Sequence, residues 1–275
     1  MKKVVLITGA SAGMGKEIAK YLAGKGYIVY SAARRLDKMA DLESLGIHIL
    51  KMDVTDNDSM VDGVRRIMDA EKRIDILINN AGFGSYGAIE DVPIADAKYQ
   101  LDVNVFGAAA LIQLALPHMR KNNSGKIINI SSIGGKIAMP LGGWYHASKF
   151  ALEGLSDSLR NEVKPFGIDV IVIEPGGIKS EWAQIAHDNL IKISGHTAYE
   201  NLATGFLSGF KMADEKSPEP AIIAELIYKA VTAKKPKTRY SAGYMAKPIL
   251  LLRKLLSDKM MDNLFMSQIK SVAKN

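Results

Sequence analysis

The chain has 275 residues, 48 % of them hydrophobic, and a formal net charge of +7; that suits one sizeable domain or two small ones with a full apolar core. It has no cysteine, which excludes disulfides, a thiolate nucleophile and Cys-ligated zinc or iron–sulfur centres, and fits a reducing compartment. The charge is uneven: residues 234–275 carry ten Lys/Arg and two acids, a net of +8, while the other 233 residues sum to −1. The body is neutral, so basic charge points to a nucleic acid or an anionic surface only at the tail.

Along the chain, short runs rich in Val and Ile predict strands at 4–7, 27–32, 47–51, 74–78, 126–130 and 169–173. Helix-length segments at 15–23, 59–70, 95–120 and 145–163 lie between them. Strands alternating with helices, each strand apolar throughout, predict an α/β fold with a parallel sheet covered on both faces. Four apolar residues before Thr8-Gly9 are too few for a signal sequence, which needs about seven. The tail's longest apolar run, 249–252, is far from the roughly 18 residues of a membrane helix. A soluble, cytoplasmic protein is expected. No linker or repeat divides the chain: one domain is expected over 1–243, with a basic helical extension at 244–275. After Glu174, Pro175-Gly176-Gly177 breaks the regular pattern. The insert at about 176–220 follows a strand, where ligands of open α/β sheets bind, and is predicted to cover a pocket.

The first strand runs into Thr8-Gly9-Ala10-Ser11-Ala12-Gly13-Met14-Gly15, and a helix follows. Glycines serve where backbone turns sharply and approaches a pyrophosphate, and the helix N-terminus offers free N–H groups to it. No Gly-Lys-Ser/Thr ending follows, which excludes an ATP- or GTP-binding P-loop. The turn makes the fold a Rossmann-type doubly wound sheet. The second strand ends at Ala33-Arg34-Arg35. An acid there suits the ribose of NAD, whereas arginines suit the 2′-phosphate of NADP, so NADP(H) is the expected cofactor.

Tyr145 and Lys149 stand four residues apart on a predicted helix, so both side chains reach one site. A free phenol titrates near 10, and a neighbouring ammonium lowers that value. Together with the glycine turn, Asp53-Val54, Asn79-Asn80-Ala81-Gly82, Asn104-Val105-Phe106-Gly107, Asn129-Ile130-Ser131-Ser132 and Pro175-Gly176, this pair makes residues 1–180 resemble the short-chain dehydrogenase/reductase family. The resemblance implies that Tyr145 exchanges the proton with the carbonyl or alcohol oxygen and that Lys149 lowers its pKa and holds the nicotinamide ribose. It implies that Ser132, thirteen residues before Tyr145, bonds the substrate oxygen, and that Asn104 joins a proton relay behind Lys149. For the cofactor it implies Gly9, Ser11, Gly13, Met14, Gly15, Arg34, Arg35, Asp53, Val54, Asn80, Ala81, Gly82, Tyr145, Lys149, Pro175, Gly176, Ile178 and Ser180. Asp53 would touch adenine, Asn80 and Gly82 would line the adenosine side, and Ile178 would meet the nicotinamide amide through its backbone. Asn104 and Asp53 also read as helix-capping and strand-end residues.

The five histidines show no ligand spacing, and no metal site is expected; His146 would point off the catalytic face. Met139, Leu141, Trp144, Trp182, Phe83 and Phe206 are the expected pocket lining and favour a bulky hydrophobic substrate. The segment near Arg239-Tyr240-Ser241-Ala242-Gly243 resembles the hydroxysteroid- and retinol-dehydrogenase-like branch, which implies a steroid, retinoid or lipid-like substrate. A 3-oxoacyl-thioester reductase and a non-catalytic dinucleotide-sensing regulator are the rival readings. The expected assembly is a homodimer or homotetramer without nucleic acid. The tail after Pro248 reads as helix, with docking on the body or a second subunit preferred over an anionic membrane.

Overall fold

Residues 2–272 are described by a computed structural model, without the side chains of Trp182, Ser271 and Val272; the pocket expectation at Trp182 lies outside the described side chains. The strands β1 (Val4–Thr8), β2 (Ile28–Ala33), β3 (His48–Lys51), β4 (Ile76–Asn79), β5 (Gly125–Ile130), β6 (Ile168–Pro175) and β7 (Arg239–Ala242) form one parallel sheet. Their order is β3-β2-β1-β4-β5-β6-β7. The sequence predicts six of them; β7 is four half-buried residues including Arg239 and Ser241, too polar and short to stand out as an apolar run.

Both faces of the sheet are covered, which is why its central strands are largely apolar. In β1, Val5 and Ile7 enter one hydrophobic layer while Val4 and Leu6 enter the other. On the first face lie α1 (Gly13–Gly24), α2 (Ala40–Glu43) and α9 (Ala221–Thr232). Helix α1 buries Gly15, Ile18, Ala19 and Leu22, the stripe that helical periodicity predicts. On the second face lie α3 (Asn57–Glu71), α5 (Gly107–Lys121) and α6 (Gly143–Val163). Asp56 starts α3 by accepting from the Asp58 and Ser59 N–H groups. Burying each Ile or Leu of these layers contributes about 2 kcal/mol.

The long helix predicted at 95–120 is α4 (Ile94–Leu101), a π turn (Asp102–Phe106) and α5 in sequence. Among the described residues it is the one helix long and apolar enough to cross a membrane, although its longest unbroken apolar run is five residues, 108–112. Its Leu111, Ile112, Ala115 and Met119 are core residues beside the sheet.

Strand order reverses at β1, flanked by β2 and β4, so a crevice opens at the carboxyl ends of these strands. Above it, α7 (Glu181–Ser194) and α8 (Glu200–Glu215) pack with Tyr86, Tyr145 and Ile269. The C-terminal helices α10 (Ala246–Leu255) and α11 (Asp258–Val272) join this layer through a cluster of Ile137, Met261 and Phe265. The basic tail is therefore not one unit. Lys234, Lys235 and Lys237 precede β7 at the amino edge of the sheet, away from the crevice, whereas Lys247, Arg253, Lys254, Lys259 and Lys270 lie on or beside α10 and α11.

Candidate active site

The glycine turn is shaped by backbone geometry that side chains would block. Gly9 and Gly13 have φ of +66° and +53°, where L-residues are strained. A Cβ on Gly15 would lie 2.4 Å from the Gly9 carbonyl oxygen, and one on Gly9 2.8 Å from Ala81 Cα. Asn80 fastens the turn, its Nδ2 donating to the Thr8 and Gly9 carbonyls at 2.9 and 3.2 Å. Thr8 Oγ1 in turn accepts from the N–H groups of Asn80 and Ala81. Asn80 therefore acts on the turn with its side chain as well as lining the crevice.

Beyond β2, Arg34 Nη1 donates to Tyr99 Oη at 2.8 Å. Arg35 Nη2 donates to Ser11 Oγ at 3.1 Å and lies 3.7 Å from the Glu181 carboxylate. Asp53 Oδ1 accepts from the Thr55 N–H and hydroxyl at 2.9 and 2.8 Å, a turn-forming pattern. Ser11, Arg34, Arg35, Asp53, Tyr99 and Glu181 line one cavity of about 940 Å³, with Met14, Val54, Ala81 and Gly82 beside them. Ser132, Tyr145 and Lys149 line it further along, as do Pro175, Gly176, Ile178 and Ser180. Gly15 and Asn104 stand behind its wall, Gly15 under the turn and Asn104 under Gly82.

Tyr145 and Lys149 share one face of α6, and both are buried. Tyr145 hydrogen-bonds Ser132, whose Oγ accepts from the Gly134 N–H at 3.0 Å. Burial pushes the Tyr145 phenol up to about 12, with the Ser132 hydrogen bond working against it. Lys149 is not among the causes of that shift. Its ammonium is 5.9 Å from the ring centroid and donates to the Ile130 carbonyl at 2.9 Å. Burial takes Lys149 down to about 8, with Glu153 opposing the shift.

Asn104, in the π turn, is 1 % exposed. Its Oδ1 accepts from the Phe83 N–H, and its Nδ2 donates to the Phe83 carbonyl and to Ser148 Oγ. It thus pins the segment after β4 to α6. A Cβ on Gly82 would meet Asn104 Oδ1 at 3.1 Å and Lys149 Nζ at 3.6 Å, so the glycine lets both approach the same spot.

Several contributors, His146, Tyr86 and Phe210 among them, have no sequence signal. His146 is buried and lines the cavity, which corrects its placement off the catalytic face. Its ring bridges the Gly134 carbonyl and the Met139 N–H, holding the loop between Ser132 and α6. Tyr86, Phe206 and Phe210 pack together with centroids 5.6–6.0 Å apart, and Tyr86 stands 5.7 Å from Tyr145. Phe83, Met139 and Phe206 line the cavity, as expected, whereas Leu141 and Trp144 are not among its lining residues. Leu141 has φ +64° and packs beneath, in the cluster that holds Tyr86 and Tyr145. Ile249, Leu252, Leu264, Phe265 and Ile269 of α10 and α11 supply further apolar wall.

One turn beyond Lys149 on α6, Glu153 meets Lys136 at 2.8 Å and Arg239 at 2.9 Å. Arg239 also bonds Asp157, and Glu174 lies 3.5 Å from it. Burial and the neighbouring Glu153 push the Glu174 carboxyl up to about 6. Three carboxylates and two cations thus stand one turn beyond Tyr145 and Lys149 on α6.

Residues 3–190 match the family model described as short chain dehydrogenase. The chain is 36 % identical over 263 residues to a probable short-chain type dehydrogenase/reductase, VdlC, of Helicobacter pylori, with 95 % of this chain and 96 % of that protein covered. It is 37 % identical over 264 residues to a 3-ketodihydrosphingosine reductase of Bacteroides thetaiotaomicron, covering 94 % and 95 %. Among solved structures, a short-chain dehydrogenase from Streptomyces avermitilis superposes with a TM-score of 0.80 at 31 % identity, covering 100 % and 99 %. Fold, motif order and these likenesses agree: the chain belongs to the short-chain dehydrogenase family of oxidoreductases.

Proposed function

We propose that the protein is an NADP(H)-dependent oxidoreductase that interconverts a secondary alcohol and a ketone on a hydrophobic, lipid-like substrate. One observation carries this reading: a single cavity joins the glycine turn and two arginines, the Ser132–Tyr145 pair and a largely apolar chamber. The residues fit a dinucleotide. The turn is free of side chains where Gly9 and Gly13 take positive φ, it leads into the N-terminus of α1, and Arg34 and Arg35 supply charge at the cavity's edge. Gly9, Ser11, Gly13, Met14 and Gly15 would cradle the pyrophosphate, and Asp53, Val54, Asn80, Ala81 and Gly82 the adenosine side. Pro175, Gly176, Ile178 and Ser180 would line the nicotinamide end. When bound, the nicotinamide supplies a hydride to the carbonyl carbon or accepts one from the alcohol carbon.

The chain's own groups handle the oxygen. Ser132 and Tyr145 are hydrogen-bonded to each other, so a carbonyl oxygen entering between them meets two donors. Tyr145 gives its proton to that oxygen in reduction and takes it back in oxidation. Lys149, behind the phenol, favours the phenolate when charged, and Asn104 keeps the Phe83 segment against α6 so that the groups stay in register. The walls of Tyr86, Phe206, Phe210 and the C-terminal helices select a bulky apolar body. The relative named as a 3-ketodihydrosphingosine reductase supports a lipid-like ketone. The test is a panel of long-chain ketones, steroids, bile acids and 3-oxoacyl thioesters followed at the NADPH absorbance. Turnover is expected with the apolar ketones. Tight NADPH binding with no turnover of any compound would instead favour the dinucleotide sensor.

A further inference from the structure

Helix α10 has an inner and an outer face. Ile249, Leu252 and Leu256 turn inward, against the cluster of Ile137, Met261 and Phe265. At 100° per residue, Lys247, Leu251, Lys254 and Leu255 then turn outward together. Leu251 and Leu255 are 58 % and 70 % exposed, and Met260, just past the turn into α11, is 53 % exposed. Lys247, Lys254 and Lys259 are exposed between and beside them; none of the three forms an ion pair among the described residues.

Large apolar side chains clustered in water mark a contact surface. A second copy docked on this face through the same patch would set lysines against lysines. An anionic bilayer has the opposite charge at its headgroups and an apolar phase just beneath, where leucines insert while lysine stems reach back to the phosphates. The position also has a use. Ile249 and Leu252, on the inner face of the same helix, line the apolar end of the cavity together with Leu264 and Phe265.

We propose that α10 and the start of α11 dock on an anionic membrane surface, beside which the apolar end of the cavity takes up its lipid-like substrate. The uptake clause rests on the function proposed above; the docking does not. Full-length protein is sedimented with vesicles of phosphatidylcholine alone and of phosphatidylcholine mixed with phosphatidylglycerol. Three lysines at the surface favour the anionic vesicles by on the order of a hundredfold, and added salt weakens the retention. The double variant Leu251→Glu, Leu255→Glu is expected to lose at least about tenfold in retention while binding NADPH as before. No retention on anionic vesicles, equal retention on both kinds, or full retention of the double variant overturns the proposal. So does a double variant that leaves vesicle retention unchanged but falls to a smaller assembly, which assigns the face to a second copy. Retention is read without turnover, so a failure of the proposed chemistry leaves this result standing.

Discussion

Replacing Arg34 and Arg35 together by alanine tests the cofactor reading at its most specific point. Both guanidiniums are already held at the cavity, Arg34 by Tyr99 and Arg35 by Ser11 with Glu181 nearby. These partners are neutral hydroxyls and one carboxylate at 3.7 Å, so an incoming 2′-phosphate can replace them with stronger, charge-assisted bonds. A hydrogen bond to a charged group contributes roughly 1.5–3 kcal/mol; both arginines are solvent-exposed, which cuts the gain. The pair together is expected to supply about 2–3 kcal/mol, or about 30- to 150-fold in NADPH affinity. NADH, lacking the phosphate, should change by no more than about threefold. Calorimetric titration of both cofactors into wild-type and double-variant protein reads this without any substrate. Equal weakening of NADPH and NADH, or no change in their ratio, refutes the 2′-phosphate role of these residues.

Three further substitutions probe other parts of the site. Tyr145→Phe removes the proton that the proposed chemistry needs, and turnover should fall by about 10²- to 10⁴-fold with NADPH affinity unchanged in a fluorescence titration. Gly15→Ala places a Cβ 2.4 Å from the Gly9 carbonyl and 2.5 Å from Asn80 Nδ2, so both cofactors should lose affinity alike, unlike the arginine variant. Arg239→Ala leaves Glu153 with Lys136 alone and Asp157 with Arg160; urea denaturation should show a loss of about 2–3 kcal/mol, below the cost of stripping a buried charge completely because Arg239 is 25 % exposed.

The sheet was legible because a strand buried on both faces is apolar along most of its length, as over residues 4–7 of β1 and 76–78 of β4. The crevice was legible because the glycines of its turn and the Tyr145–Lys149 spacing are local requirements, satisfied within a few residues. What escaped depends on contacts between segments far apart in the chain. β7 has no apolar run of its own and is defined by pairing Arg239 with Val172. His146 gains its position from Gly134 and Met139, seven to twelve residues away across a loop. Leu, Met and Phe are spread round the tail helices because α11 buries Met261, Phe265 and Ile269 while the outer face of α10 keeps Leu251 and Leu255. The tail's summed charge hid its division between the two edges of the sheet, which only the placement of β7 reveals.

The same placement of β7 puts Arg239 in the charge cluster behind Lys149, and this leads to a pH dependence. Lys149 titrates at about 8 because burial penalises its charge, and Glu153 is the acid that opposes the fall. The phenol, at about 12, stays protonated well above that, so the group that changes first as pH rises is the lysine. If its charge supports the reaction, kcat/KM declines through about pH 8. Glu153 is itself faced by Lys136, Arg239 and, further off, Glu174. Glu153→Gln keeps hydrogen-bonding capacity but removes the negative charge, so Lys149 should lose its proton at lower pH and the alkaline limb should move to lower pH. A merely structural role for Glu153 would reduce activity at all pH values without moving that limb, and an unmoved or raised midpoint refutes the coupling. Stability supplies a second check with its own sign. Between about 8 and the ordinary lysine value of 10.5, the unfolded chain holds a proton at this position that the native protein has released. Stability therefore gains a rising contribution with pH in that window, since the unfolded state binds more protons, and this contribution should vanish in Lys149→Met.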